Sequence, residues 1–239
     1  MGFEKTIAAG PLRSFKYRLL ERMRTLSKES RYAEFVMPVA LLLVIDKDNG
    51  GDDTADEVLR RFFLVDAESC DVIDFYFAGW QLADTDSLKK RLVFDVDAFA
   101  SVREALRNAG MGRFGGYADL VLLDAHYADG RVQLDFTRAI HVDLSEALKT
   151  KKIASVASFL EALIDAAHRL RDSAAADPEL GETWWISDHL ALAIAKKSIW
   201  QYILDKWGQV IGANKIDAVC VRRVGRSVDL ASFGSGDAR

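Results

Sequence analysis

An uninterrupted apolar run near the start of the chain constrains the fold more than any other feature. Residues 37–45 read MPVALLLVI, carry no charge, and are followed directly by Asp46. The run is too short to cross a bilayer, which takes about 20 residues. An apolar run of this length is typical of a strand that is buried on both faces. The sequence therefore predicts that this strand lies inside a sheet covered by amphipathic helices.

Amphipathic segments able to cover such a sheet recur along the chain. Apolar residues spaced three and four apart predict helices over residues 11–33, 54–65, 98–108, 153–170 and 187–211. Asp97 and Ser187 are the expected N-caps of the third and fifth of these helices. Segments rich in β-branched and aromatic residues predict further strands over residues 71–79, 91–96 and 216–224.

The Asp129-Gly130 dipeptide gives the clearest prediction of strand pairing. It stands between two strand-like runs, YADLVLLDAHY and RVQLDFTRAIHV. An Asp-Gly pair between alternating hydrophobic residues favours the two-residue turn of a β-hairpin. We therefore expect a hairpin near residues 118–142, in which Asp124 faces Asp135.

Strands that alternate with helices, together with an antiparallel hairpin, indicate the fold class. The expectation is an α/β (or α+β) protein with a mixed central sheet that includes the hairpin and is flanked by amphipathic helices. The chain has 239 residues, of which 50% are hydrophobic and 28% charged, which suits one globular domain over residues 1–239. The small and polar end, residues 226–239, predicts a short flexible tail.

No feature of the sequence predicts export or membrane insertion. The first residues lack the apolar core of a signal peptide. The two cysteines, Cys70 and Cys220, form no CxxC pair, which excludes a zinc ribbon and a thioredoxin-type redox site. We therefore expect a soluble, cytoplasmic protein.

The acidic loop, residues 46–57 with the sequence DKDNGGDDTADE, is the sharpest candidate for a metal site. Its first, third, sixth and twelfth residues match a calcium-binding loop, although Gly50 stands where a ligand is expected and a strand precedes the loop. Acidic residues after a buried strand also suit Mg²⁺ and phosphoryl chemistry. A solvated loop that starts a helix is the alternative. The candidate ligands for Mg²⁺ or Ca²⁺ are Asp46, Asp48, Asp52 and Glu57.

The polar face of the predicted hairpin is a second candidate site. It carries Asp124, His126, Gln133 and Asp135, with the two carboxylates directly opposite each other. Like charges in that position repel, so water or a cation must screen them unless the register differs. His126 is a candidate base or ligand there, and an exposed polar face without a binding role is the alternative.

Arg113 is a third candidate, as a contact for an anionic ligand. It belongs to the segment GMGRFG, residues 110–115, which spells G-x-G-x-x-G. In dinucleotide-binding proteins this motif follows a strand and opens a helix. Here a helix is expected before the motif and a strand after it, so we reject a dinucleotide site.

The predicted helix over residues 11–33 has a basic face that could meet a partner. Residues 11–32 hold seven basic and two acidic side chains, whereas the whole chain has a net charge of −4. Such a helix can dock on its own core, on a membrane surface, on a protein partner or on a second copy. Nucleic acid is not expected, because the rest of the chain is acidic and carries no known binding module.

The sequence contains no motif that names a reaction. It has no G-x-S-x-G segment, no P-loop, no H-E-x-x-H pair and no deaminase signature. We therefore expect a cytoplasmic ligand- or protein-binding regulatory module. The alternative is a divalent-metal-dependent phosphoesterase or nuclease that uses the acidic loop.

Overall fold

The computed structural model of the protein describes residues 7–9, 12–29, 33–61, 72–83, 91–112, 114–115, 117–173, 183–186, 189–192, 198–211, 216 and 219–234. The strands are β1 (Ile7–Ala9), β2 (Phe35–Val44), β3 (Asp74–Ala78), β4 (Trp80–Ala83), β5 (Arg91–Phe94), β6 (Ala118–Ala128), β7 (Arg131–Asp143), β8 (Thr183–Ile186), β9 (His189–Leu192), β10 (Cys220–Arg222) and β11 (Ser227–Asp229). The helices are α1 (Leu12–Glu29), α2 (Asp53–Arg60), α3 (Val96–Asn108), α4 (Leu144–Lys149), α5 (Val156–Ser173) and α6 (Ile199–Ile211). None of these described helices is long and apolar enough to cross a membrane.

The central sheet is mixed, as the sequence predicts. Its strands follow the order β1-β3-β2-β6-β7-β10, with β11 also paired to β7. β1, β3 and β2 run parallel to one another, whereas the pairs β2–β6, β6–β7 and β7–β10 are antiparallel. β4 and β5 form a separate hairpin. The α/β fold class is therefore confirmed.

β2 lies in the middle of this sheet, and all ten of its residues are buried. Successive side chains of a strand point to opposite faces. Val39, Leu41 and Leu43 accordingly join one apolar cluster, and Leu42 and Val44 join the other. The uninterrupted apolar run is thus explained by burial on both sides.

Helices cover both faces of the sheet, so the molecule has three layers. α1 and α3 pack on the face that carries Leu41, and α2, α4, α5 and α6 pack on the face that carries Leu42. The apolar stripe of α1 is at most 1% exposed in Phe15, Leu19, Met23 and Leu26. The helix predicted to be amphipathic therefore uses its apolar face on its own sheet.

The hairpin forms with Asp129 and Gly130 in the turn, but β7 bulges away from β6. Near the turn Asp124 faces Asp135 as predicted. Beyond Leu122 the register shifts, and Leu122 pairs with Ile140. Between these two pairs, residues 136–139 of β7 lie opposite the single residue Leu123 of β6, so the register shifts by three residues. Because the shift is odd, each β7 side chain beyond it points to the face opposite to the one predicted by counting from the turn.

Two predicted helix starts are wrong. The segment predicted as a helix from residue 187 instead begins with β9, which pairs with β8 just before it, and α6 begins only at Ile199. Pairing between strands overrides the helical spacing here. The N-cap of α3 is Asp95, whose side chain accepts from the Ala98 N–H at 2.9 Å, and not Asp97. Ser187 lies outside the described residues.

The end of the chain also differs from the prediction of a flexible tail over residues 226–239. Within it, Ser227–Asp229 form β11 on β7, and Leu230 and Phe233 are buried against α1 and the sheet. Two apolar side chains in an otherwise small and polar segment are enough to hold it on the core. Residues 235–239 lie outside the described part of the chain.

Candidate functional site

The acidic loop uses its carboxylates in local hydrogen bonds. Asp52 caps α2, accepting from the Thr54 N–H at 3.0 Å and the Ala55 N–H at 3.2 Å. Asp46 accepts from the side chain of Asn49 at 3.3 Å, and Asp48 is exposed. Asp46 and Asp52 therefore serve the turn and the start of the helix.

Glu57, the last predicted metal ligand, points away from the loop to a different helix. Its Oε1 accepts from the Ala157 N–H in the first turn of α5 at 3.2 Å. Gly51 accounts for the tight turn, because a Cβ there would lie 2.0 Å from the Ile45 carbonyl oxygen. In the described part of the chain no group of three or more His, Cys, Asp or Glu side chains is placed to hold a metal ion.

The structure does bring together the three hairpin residues predicted as ligand contacts. Asp124 and Asp135 face each other across β6 and β7, and His126 Nε2 lies 3.8 Å from Asp135 Oδ2. The face that they share is exposed at Gln133 and becomes buried toward Asp124, which is 4% exposed. The start of α6 covers this buried end, since the Ile199 N–H reaches Asp124 Oδ2.

Asp124 joins β6 to the first turn of α6. The Ile199 N–H donates to its Oδ2 at 3.0 Å, and the Ser198 side chain also hydrogen-bonds this carboxyl group. Its Oδ1 is buried and has no hydrogen-bond partner among the described residues. Burial raises the pKa of Asp124 to about 6, although both hydrogen bonds favour the charged form. Asp124 is thus a carboxyl group that changes charge near neutral pH inside the fold.

Asp135 has the opposite electrostatic character. Burial alone would raise the pKa of Asp135, but contact with His126 and hydrogen bonds from Thr137 hold this pKa well below its usual range. The Thr137 N–H donates at 2.9 Å and its hydroxyl at 2.6 Å, while Arg138 Nε lies 3.9 Å from the carboxylate. Local donors therefore stabilise the charge on Asp135, and the repulsion expected between the two carboxylates needs no bound cation.

A second buried polar group, formed by Asp119, His141 and Arg223, escapes sequence analysis. His141 Nε2 lies 2.7 Å from Asp119 Oδ1, and Arg223 Nη2 lies 3.2 Å from His141 Nδ1. Arg223 can only donate, so Nδ1 accepts and Nε2 carries the proton that bonds Asp119. The imidazole has both nitrogens engaged, and the group ties β6, β7 and the chain after β10 together.

The β7 bulge explains why this group is not predicted. Counting back from the turn without a bulge pairs Asp119 with Ile140, which places His141 on the other face of the sheet. In the structure Asp119 pairs with Asp143 and His141 with Val121, so both side chains share one face. Arg113, the one predicted ligand contact outside the hairpin, lies outside the described residues.

A pocket lies between α5, α6 and the chain around β10, on the face of the sheet opposite α1. Its volume is ≈ 160 Å³. Its floor consists of buried side chains, and its mouth of more exposed ones. The residues that line the pocket are Lys152, Ile153, Ala154, Ser158, Phe159, Trp207, Ile216, Val219 and Cys220.

The lining is apolar except at the mouth. The rings of Phe159 and Trp207 are in contact, with centroids 5.5 Å apart and planes inclined at 50°. Ile216, Val219 and Cys220 are buried below them, and Lys152 supplies a cationic group at the surface. A concave apolar surface with two polar side chains at its mouth, Lys152 and Ser158, has the composition of a small-molecule site.

Sequence analysis misses this pocket because its walls come from three separate parts of the chain. Phe159 and Trp207 each continue a helical apolar stripe and are indistinguishable there from core residues. Comparison with protein-family models, with curated proteins and with solved structures finds no match to this chain.

Proposed function

We propose that this chain is a cytoplasmic ligand-binding α/β module that takes a small apolar molecule in the pocket between α5 and α6. The observation that carries the proposal is the pocket itself, with its buried floor and the ring pair Phe159 and Trp207. Open apolar concavities with a few polar groups are the usual binding sites of small molecules. Binding there would bridge the two helices and the chain around β10, which suits a regulatory role.

The size of the pocket favours a ligand of about one aromatic ring. An apolar cavity of about 150 Å³ holds a benzene molecule, and the pocket here has a volume of ≈ 160 Å³. Aromatic ligands also pack well against tilted or edge-on rings, as Phe159 and Trp207 offer. Toluene, which has one ring, and indole, a slightly larger fused bicycle, are therefore suitable probes.

The alternative function, a divalent-metal-dependent phosphoesterase or nuclease, receives less support from the geometry. Such enzymes need several carboxylates whose oxygens converge on a common point. Asp52 and Glu57 instead bond backbone N–H groups of two different helices, α2 and α5. We therefore rank ligand binding above metal chemistry at the acidic loop.

A protein partner or a second copy at α1 is a further part of the proposal. The apolar stripe of this helix is used internally, but Arg18 and Arg24 are exposed and Tyr17 is 65% exposed. If this face mediates self-association, the double change Arg18→Glu and Arg24→Glu should lower the molar mass measured by light scattering after size exclusion. An unchanged mass would remove α1 from consideration as a self-association surface.

Calorimetric titration with indole or toluene tests the proposed function directly. We expect binding at micromolar to millimolar probe concentrations, and weaker binding in Ala154→Leu, because the added side chain narrows the mouth of the pocket. Ala100→Leu is the matched control. Ala100 is exposed like Ala154, but it belongs to α3, on the opposite face of the sheet from the pocket. Absence of binding, or equal loss in both variants, would contradict the proposal.

A further inference from the structure

The charged side chains around the pocket indicate the charge of its ligand, in addition to the size that the apolar lining indicates. Lys152 is exposed at the mouth, and the segment from Lys149 to Leu160 contains three lysines and no acidic residue. Within the described residues Lys152 takes part in no ion pair. A cationic side chain beside an apolar floor thus gives the pocket a charged end and an apolar end.

The neighbouring first turn of α5 does not offer a second anchor for an anion. The Ala157 N–H is bonded to Glu57, and the Ser158 N–H is bonded to the Ser155 hydroxyl oxygen. The hydroxyl of Ser158 also bonds Ser155. Donors that are already satisfied give little to a ligand. Lys152 is therefore the group that distinguishes charged from neutral ligands.

We propose that the ligand is a one-ring aromatic compound that bears a single anionic group such as a carboxylate. Its ring packs against Phe159 and Trp207, and its anionic group pairs with Lys152. This inference rests on the proposed function, since it specifies the ligand of the same pocket. The ring supplies most of the affinity, because an ion pair at an exposed lysine is weak.

The test compares three carboxylates with their neutral amides: benzoate, phenylacetate and 3-phenylpropanoate against benzamide, phenylacetamide and 3-phenylpropanamide. We expect the best carboxylate to bind about two- to fivefold more tightly than its amide, as one exposed ion pair allows. The preference should disappear in Lys152→Met and persist in Lys149→Met, which removes a lysine of the same segment that does not line the pocket. It should also fall as the ionic strength rises from about 0.02 M to about 0.5 M.

The possible outcomes separate this inference from the proposed function. If the amides bind as tightly as their matched carboxylates, the anionic ligand is wrong and the apolar pocket stands. The same holds if the carboxylate preference survives Lys152→Met. If none of the probes binds at millimolar concentration, both the inference and the proposed function are overturned.

Discussion

Asp124 is a buried carboxyl group that holds the hairpin to α6. Its folded pKa of about 6 lies above the unfolded value because burial disfavours the charge. The native state therefore binds more protons than the unfolded state between about pH 4 and pH 6. The stability gained from this proton uptake is full below the unfolded pKa and is lost as the pH rises through about 6.

The substitution Asp124→Asn should reveal this effect as a pH-dependent difference in stability. Relative to the wild type, the variant should gain roughly 3 kcal/mol in unfolding free energy as the pH rises from about 4 to about 7, since one pKa unit corresponds to about 1.4 kcal/mol. Urea unfolding at several pH values measures the difference. A difference that stays constant with pH would show that Asp124 does not titrate as its burial implies.

Asp135 should behave in the opposite way. Its depressed pKa means that it stabilises the fold above the unfolded pKa of about 4, and that this contribution is lost as the pH falls below that value. Asp135→Asn should cost about 1–2 kcal/mol at pH near 7, because Thr137 then donates to a neutral acceptor. The cost should shrink in acid. A cost that grows in acid would contradict the assignment.

At the scale of the elements, the acidic loop is a helix start. Asp52→Ala should destabilise the protein by about 0.5–2 kcal/mol through loss of the N-cap, whereas Asp48→Ala should have little effect. Thermal melts of the wild type in EDTA, in Mg²⁺ and in Ca²⁺ should coincide. If either ion raised the Tm of the wild type but not that of Asp46→Asn, the acidic loop would be a metal site after all.

α1 contributes to the protein mainly through its apolar stripe. Leu19 is fully buried against the sheet, so Leu19→Ala should lower the unfolding free energy by about 2–5 kcal/mol. Arg18→Ala, one residue away and exposed, should change it by less than about 0.5 kcal/mol. Chemical denaturation of both variants makes the comparison. Similar effects of the two changes would mean that the helix does not dock as described.

The elements whose structure is set by neighbouring residues in the chain are the ones that the sequence predicts. The apolar run over residues 37–45 forms most of β2, which is buried on both faces, and Asp129-Gly130 forms the expected turn with the expected register next to it. Elements set by distant contacts are missed. β8 and β9 form because they pair with each other, and α4 is too short to show a helical period.

The candidate sites, too, are predictable where they depend on neighbouring residues and not where they depend on distant contacts. The opposition of Asp124 and Asp135 can be counted from the turn, because no bulge intervenes. The bond between His141 and Asp119 cannot be counted, because the β7 bulge exchanges the faces between them. The burial of Asp124 also depends on α6, whose first residue is 75 positions away.

On the scale of the whole molecule, the three layers leave an open apolar pocket between α5, α6 and the chain around β10. The four helices on the face opposite α1 bury most of their apolar side chains against the sheet. Trp200 ties α6 to the sheet, since its indole N–H donates to the carbonyl oxygens of Val39 and Leu123. Farther along α6, Trp207 is only partly buried, and its ring packs against that of Phe159 in the wall of the pocket.

A titration of the ¹⁵N-labelled protein with indole, followed by amide chemical shifts, tests the ligand-binding account most directly. The account predicts that the amides with the largest shifts belong to residues 152–159, Trp207, Val219 and Cys220, and that those of the acidic loop and α1 stay unchanged. Shifts centred on the acidic loop or on α1, or no shifts at millimolar indole, would contradict it.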